Sequence, residues 1–260
     1  MFKEIYKYRE MIYTMVRKDL RGRYKGSVLG FLWTFINPLL QLVVYYFVFS
    51  MILGNNIPKF YLYLFVGLIP WIFFSASLTG GSISIIAQKD LIKKIYFPRE
   101  IIPISYVTSC FVNMLLSFVV VIAVVIFSGV MPSILGIICL PAIMLVEYLL
   151  CLGMALITSA LTVYFRDLEH ILGIVSMAWM YATPICYPAS LVVEKLPERF
   201  VFLYNLNPMT PIVEAYRAVL YEGGIPRMET LLSATALGAV FLIIGIFVFR
   251  KLNRNFAEEL

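Results

Sequence analysis

Long apolar runs leave this chain few folds to adopt. Six of them cover about residues 31–53, 61–87, 101–127, 134–163, 171–187 and 231–250. About 20 apolar residues cross the roughly 30 Å hydrocarbon core of a bilayer as a helix. Only 14% of the 260 residues are charged, against about 25% in a typical soluble domain. Hydrophobic residues make up 62%, more than a soluble fold of this length can hide. The period-2 alternation of transmembrane strands is missing, so helices are expected rather than a barrel. The predicted class is therefore all-α integral membrane, with six transmembrane helices in one domain spanning 1–260. The first run follows a long basic segment and exceeds the about 7–15 residues of a signal-peptide core, so it is expected to stay in the membrane.

Between the second and third runs sits a charged island, Lys89-Asp90-Leu91-Ile92-Lys93-Lys94-Ile95-Tyr96-Phe97-Pro98-Arg99-Glu100. The distribution of Lys and Arg orients it. With both termini on one side, that side holds 16 of the 21 basic residues and the other holds 5, namely Lys59, Lys195, Arg199, Arg217 and Arg227. Both termini, the island (88–100) and the short loop Tyr164–His170 are thus expected in the cytoplasm. The segment 188–230 is expected outside. The basic excess then matches the anionic inner lipid surface, not nucleic acid.

Ahead of the first run, Ile5, Ile12 and Val16 share one helical direction, with Phe2 and Leu20 nearby. Lys3, Lys7, Glu10, Arg17 and Lys18 point the other way. Within 1–30 this predicts an interfacial amphipathic helix on the inner leaflet. A plain basic topogenic tail is the alternative.

Polar residues within the runs form stripes. Thr34, Asn37, Gln41 and Tyr45, extended by Phe49, share a face of the first span. Ser176, Trp179, Thr183 and Tyr187 have the same spacing in the fifth, and Tyr106, Ser109, Asn113 and Ser117 stripe the third. A polar stripe cannot face lipid, so each must meet protein or water. Interhelical hydrogen bonding accounts for the third span and for Ser75, Thr79 and Ser82 of the second as readily as any pathway does. The first and fifth mix amides and hydroxyls with aromatic rings, a wall suited to sugars, whose C–H faces stack on rings and whose hydroxyls seek polar tips. Glu147 is the carboxylate set deepest in a span; it is either a proton site or a structural partner for a hydroxyl.

The remaining chemistry is sparse. No Gly-Lys dipeptide occurs, so no Walker A loop is present. Cys110, Cys139, Cys151 and Cys186 lack metal-like spacing and read as small buried hydrophobes. With His170 the sole histidine, a His-based metal cluster is excluded within one chain. No arrangement of external acids supports catalysis, so no catalytic residue is assigned.

Several segments together resemble a known family. Lys18-Asp19-Leu20-Arg21-Gly22-Arg23-Tyr24-Lys25-Gly26-Ser27 leads toward Asn37-Pro38-Leu39; Tyr96-Phe97-Pro98-Arg99-Glu100 ends the island; Phe165-Arg166-Asp167-Leu168-Glu169 and Tyr204-Asn205-Leu206-Asn207-Pro208 follow. Their order and spacing resemble the permease subunits of polysaccharide-export ABC transporters, including O-antigen and teichoic acid exporters. The resemblance implies a homodimer served by two copies of a separate ATPase, which would carry the ATP and Mg; no cofactor is expected on this chain. It implies short re-entrant helices in 188–230 and a pore lined by the first and fifth spans, hence by Thr34, Asn37, Gln41, Tyr45, Phe49, Ser176, Trp179, Thr183 and Tyr187. It makes the island a coupling helix. Leu91, Ile92, Ile95, Tyr96 and Phe97 would form an apolar plug for the ATPase, and Lys93, Lys94, Arg99 and Glu100 charge contacts, with Arg166, Asp167 and Glu169 nearby. The cargo would be a lipid-linked polysaccharide. An ABC permease for a drug, peptide or lipid, a proton-coupled transporter using Glu147, and a membrane enzyme acting on lipid-linked sugar are the competing readings.

Overall fold

The computed structural model describes residues 6–23, 25–52, 54, 57–195, 197, 204 and 206–259. Among them there are helices and no strands. Five helical stretches are long and apolar enough to cross a membrane: Gly30–Ile52, Phe60–Lys94, Ile101–Phe127, Ile134–Tyr164 and Met228–Asn255. The protein is a multi-pass helical membrane protein. In chain order we label α1 (Arg9–Gly22), α2 (Trp33–Tyr46), α3 (Phe60–Ala87), α4 (Lys89–Lys94), α5 (Ile101–Phe127), α6 (Ile134–Tyr164), α7 (Leu168–Ala182), α8 (Ala189–Lys195), α9 (Met209–Leu220), α10 (Met228–Leu252) and α11 (Phe256–Glu259).

The centre of the bundle is α3. It is apolar on every side, and most of its side chains are buried. A helix hydrophobic all round belongs inside a bundle. Around it stand α5, α6, α7 and α9, with α2 on one flank. Lipid tails are as apolar as Leu, so close contact between small residues drives this packing. The backbones of α6 and α10 meet at Gly153 and Gly245: a Cβ on Gly245 would strike the carbonyl of Gly153, and one on Gly153 the backbone of Phe241. Gly80 of α3 seats the phenol of Tyr106 from α5 in the same way.

One expectation changes. The fifth span was expected at 171–187, but its helix is Leu168–Ala182, 15 residues long. At 1.5 Å per residue that is about 22 Å, short of the roughly 30 Å core. It stops because Pro184 has no N–H to offer Met180 and holds Thr183 extended. Where short helices were expected in 188–230 stand α8 and α9; α9 is buried along most of its length among α3, α6 and α10.

The amphipathic helix of 1–30 is α1, though Phe2, Lys3 and Ile5 of the expected wheel lie outside the described residues. It docks on α5. Tyr8, Met11, Ile12 and Met15 pack on a core cluster that includes Phe97, Ile101 and Ile102. At its far end Arg23 pairs with Asp19 at 3.0 Å and donates to Ser109 Oγ at 3.2 Å. Ser109 also donates to the Asp19 carboxylate. Ser109 lies eight residues into α5, so the end of α1 reaches about 12 Å along that helix.

Candidate functional site

Two regions carry the residues singled out from sequence. At one end of the bundle, α3 runs into α4, a six-residue helix with Asp90 in its first turn and Lys93 and Lys94 in its last. Those charges favour the helix dipole at both ends. The chain then extends through Ile95 and turns into α5. Five apolar residues of the island were expected to plug a partner, but only two remain outward. Tyr96 is 96% exposed and Ile95 more than half exposed, whereas Phe97 is 5% exposed and belongs to the chain's own core with Ile85, Ile101 and Phe249. Leu91 and Ile92 lean on the same cluster. Arg99 is likewise engaged: it donates to the Asn253 carbonyl at 2.7 Å and to Asn253 Oδ1 at 3.1 Å, and lies over the Phe256 ring. Glu100 is half-buried at the N-cap position of α5, with no capping hydrogen bond from its side chain. The outward surface of the island is thus Lys89, Asp90, Lys93, Lys94, Ile95 and Tyr96.

The second loop presents Phe165, Arg166, Asp167 and Glu169, all exposed. Between the loops lies a segment not anticipated from sequence. Tyr164 at the end of α6 donates to the Leu252 carbonyl at 2.7 Å, and Phe256 is fully buried against Phe249 and Tyr164. A groove of about 510 Å³ runs from the island to Asn253 and Arg254, and one of about 780 Å³ from Phe165 and Arg166 to Glu259. A single Phe in a polar tail was the one available signal for this junction.

The two stripes of the membrane region part company. On α2, Asn37 is exposed and Gln41, half-exposed, donates to Asn37 Oδ1 at 3.2 Å. Their outward neighbours are Leu40, Val43, Val44 and Phe47. Thr34 turns the other way: it is buried, and its carbonyl accepts from Ser117 of α5. Tyr45 donates to the Met180 sulfur at 3.6 Å, and Phe49 packs on the core.

On α7 the stripe faces inward. Ser176 Oγ lies 2.8 Å from Ser75 Oγ of α3. Trp179 stacks edge-on against Phe74 and donates from Nε1 to Asn207 Oδ1 at 3.0 Å. Asn207 in turn donates to the Ala182 carbonyl and Thr183 Oγ1, and accepts from the Met209 N–H. Tyr187 donates to the Tyr181 carbonyl at 2.7 Å. The face of α7 left uncovered is Ile171, Ile174, Met177 and Tyr181. Sequence reasoning placed Asn207 in a motif but assigned it no role; its four side-chain hydrogen bonds make it the residue that ties the segment before α9 to α7.

Glu147 is fully buried on α6 and accepts from Tyr216 of α9 at 2.7 Å, while its Oε1 has no hydrogen-bond partner. That contact joins α6 to α9 and matches the structural alternative for this acid. Among the described residues no group of three or more His, Cys, Asp or Glu is placed to hold a metal.

The sequence matches known proteins along nearly the whole chain. Residues 10–221 match the model of a family described as ABC-2 type transporter. The chain is 35% identical to the O-antigen export system permease protein RfbA of Myxococcus xanthus, over 99% of this chain and 98% of that protein. It is 34% identical to the protein of the same name from Klebsiella pneumoniae, over 96% and 95%. It is 23% identical to the polysialic acid transport protein KpsM of Escherichia coli, over 90% of each.

Proposed function

This chain belongs to the ABC-2 type transporter family, and from that premise we propose that it is the permease subunit of an ATP-driven exporter of lipid-linked polysaccharide. The observation that carries this reading is its likeness to O-antigen permeases over almost the full length of both chains. The sequence offers no nucleotide loop, so the energy comes from a separate ATPase subunit. Two copies of the chain pair through the uncovered faces of α2 and α7. Apolar helix faces of that kind, with Asn37 and Gln41 among them, suit a second copy and a polar path at its edge.

The termini, α4 and the Arg166–Glu169 loop face the cytoplasm, where the basic residues concentrate. The ATPase docks there. Lys93, Lys94, Ile95 and Tyr96 meet it directly, and Phe97 and Arg99 transmit its movement by fixing the island to α5 and to the segment after α10. Arg166, Asp167 and Glu169 form a second contact. The glycan passes along Asn37 and Gln41, with Tyr45 and Phe49 beyond them.

Deletion of the gene tests this. Surface polysaccharide should disappear, with lipid-linked glycan accumulating inside, and a plasmid copy should restore export. An ATPase should co-purify with the chain in mild detergent. Unchanged surface polysaccharide in the deletion strain would overturn the proposal.

A further inference from the structure

The broken end of α7 and a buried arginine explain one another. A helix that ends inside a membrane protein leaves carbonyls without partners, and every one of them needs a donor. Here the donors can be named one by one. The Trp179 carbonyl accepts from Thr183 Oγ1 and that of Met180 from the Thr183 N–H. The carbonyl of Tyr181 accepts from the Tyr187 hydroxyl, that of Ala182 from Asn207 Nδ2, and that of Thr183 from the Ile185 N–H. Pro184 and Ile185 come next, past the break, and both are filled by Arg217 of α9: Nη1 donates to Pro184, Nη2 to Ile185 at 2.7 Å.

Arg217 is 5% exposed. A buried guanidinium normally requires a carboxylate, yet it forms no ion pair with a described acid. Instead Nε donates to the Tyr63 carbonyl of α3 at 3.4 Å, and the Tyr63 ring lies 3.5 Å from Cζ. Its charge is met by three carbonyl dipoles and a ring face, with the Glu214 carboxylate one turn back on α9 adding its field from beyond ion-pair distance. The planar fork spans two adjacent carbonyls in a way an ammonium cannot. The seat is also shaped for it. One turn on from Tyr63, Gly67 has no side chain, and a Cβ there would stand 3.0 Å from Nη2 and 3.3 Å from Val213.

We infer that Arg217 is a positioning residue that holds α7 broken, clasping the freed carbonyls to α3 so that the start of α3, the break and α9 move as one body. The break is then a fixed bend and not a hinge. Movement of α7 relative to α3 at this end has to carry α9 along or unfasten the guanidinium.

A built-in reporter makes this testable without cargo or ATPase, so the result is independent of the proposed transport activity. Cys186 follows the clasped carbonyls directly and is 5% exposed. In a chain with Cys110, Cys139 and Cys151 replaced by alanine, Cys186 is the single thiol. A hydrophilic maleimide should modify it slowly in the purified protein. Arg217→Met should raise that rate by about tenfold or more, the response to losing charge-assisted hydrogen bonds, and Arg217→Lys should fall between. A folded Arg217→Met protein that reacts at the parent rate would overturn the clasp. Should Arg217→Met fail to insert, Arg217→Lys decides, because it keeps the charge and loses the planar fork. A raised Cys186 rate supports the clasp, and a parent rate overturns it.

Discussion

The stripes of α2 and α7 have the same spacing and both set hydroxyls beside aromatic rings, with amides on α2 alone, yet the molecule uses them in opposite ways. That of α7 turns inward. Ser176 meets α3, and Trp179 and Thr183 are tied to Asn207. That of α2 leaves Asn37 and much of Gln41 uncovered. The difference lies in what each helix has beside it. Helix α7 breaks against a long external segment that returns through Asn207 and α9, and that segment supplies partners. Helix α2 has α3 and α5 on one side, and among the described residues nothing covers Asn37 on the other. Period reports which residues share a face. It does not report what covers that face.

The largest effect that can break this contrast is Trp179→Ala. Removing a packed indole should cost about 3–5 kcal/mol, visible as a large drop in melting temperature in detergent. Phe97→Ala should cost about as much, because that ring is core, while Tyr96→Ala beside it should melt like the parent. Asn207→Leu should follow at about 1–3 kcal/mol, the penalty for stranding the Trp179 N–H and the Ala182 carbonyl. The double change Asn37→Ala with Gln41→Ala should stay within about 0.5 kcal/mol, as surface substitutions do, but should reduce export in cells. If the α2 pair destabilises as much as Trp179→Ala, its face is covered within the protomer and the comparison fails. The smallest effect on stability belongs to Lys93→Glu with Lys94→Glu, which should melt unchanged and abolish export. Normal export in that variant would remove the island from the docking surface.

Much of the architecture was readable in advance because the bilayer constrains it tightly. The second, third, fourth and sixth apolar runs became α3, α5, α6 and α10 with ends shifted by three residues or fewer. The fifth did not, since hydropathy continues through Ile185 and Cys186 while Pro184 stops the helix. Arg217 was counted among the external charges that orient the chain. It is buried, because carbonyls freed by a distant break solvate it, and no local pattern reveals those acceptors. At the island, sequence marked twelve residues as one surface. Packing divided them, taking Phe97 and Arg99 for the chain's own interior and leaving Ile95 and Tyr96 outside.

The glycine crossing between α6 and α10 has a mechanical corollary. Backbones in direct contact cannot slide past one another without climbing over their own carbonyls, so those two helices are welded for most of their length. For the proposed exporter this makes them the fixed part of the protomer. Any displacement that alternates access to the membrane's two sides falls to the opposite flank, where α2 is thinly held and α7 is short. A covalent cross-link between α6 and α10 should therefore be mechanically silent, while one joining α2 to α3 should stall the machine.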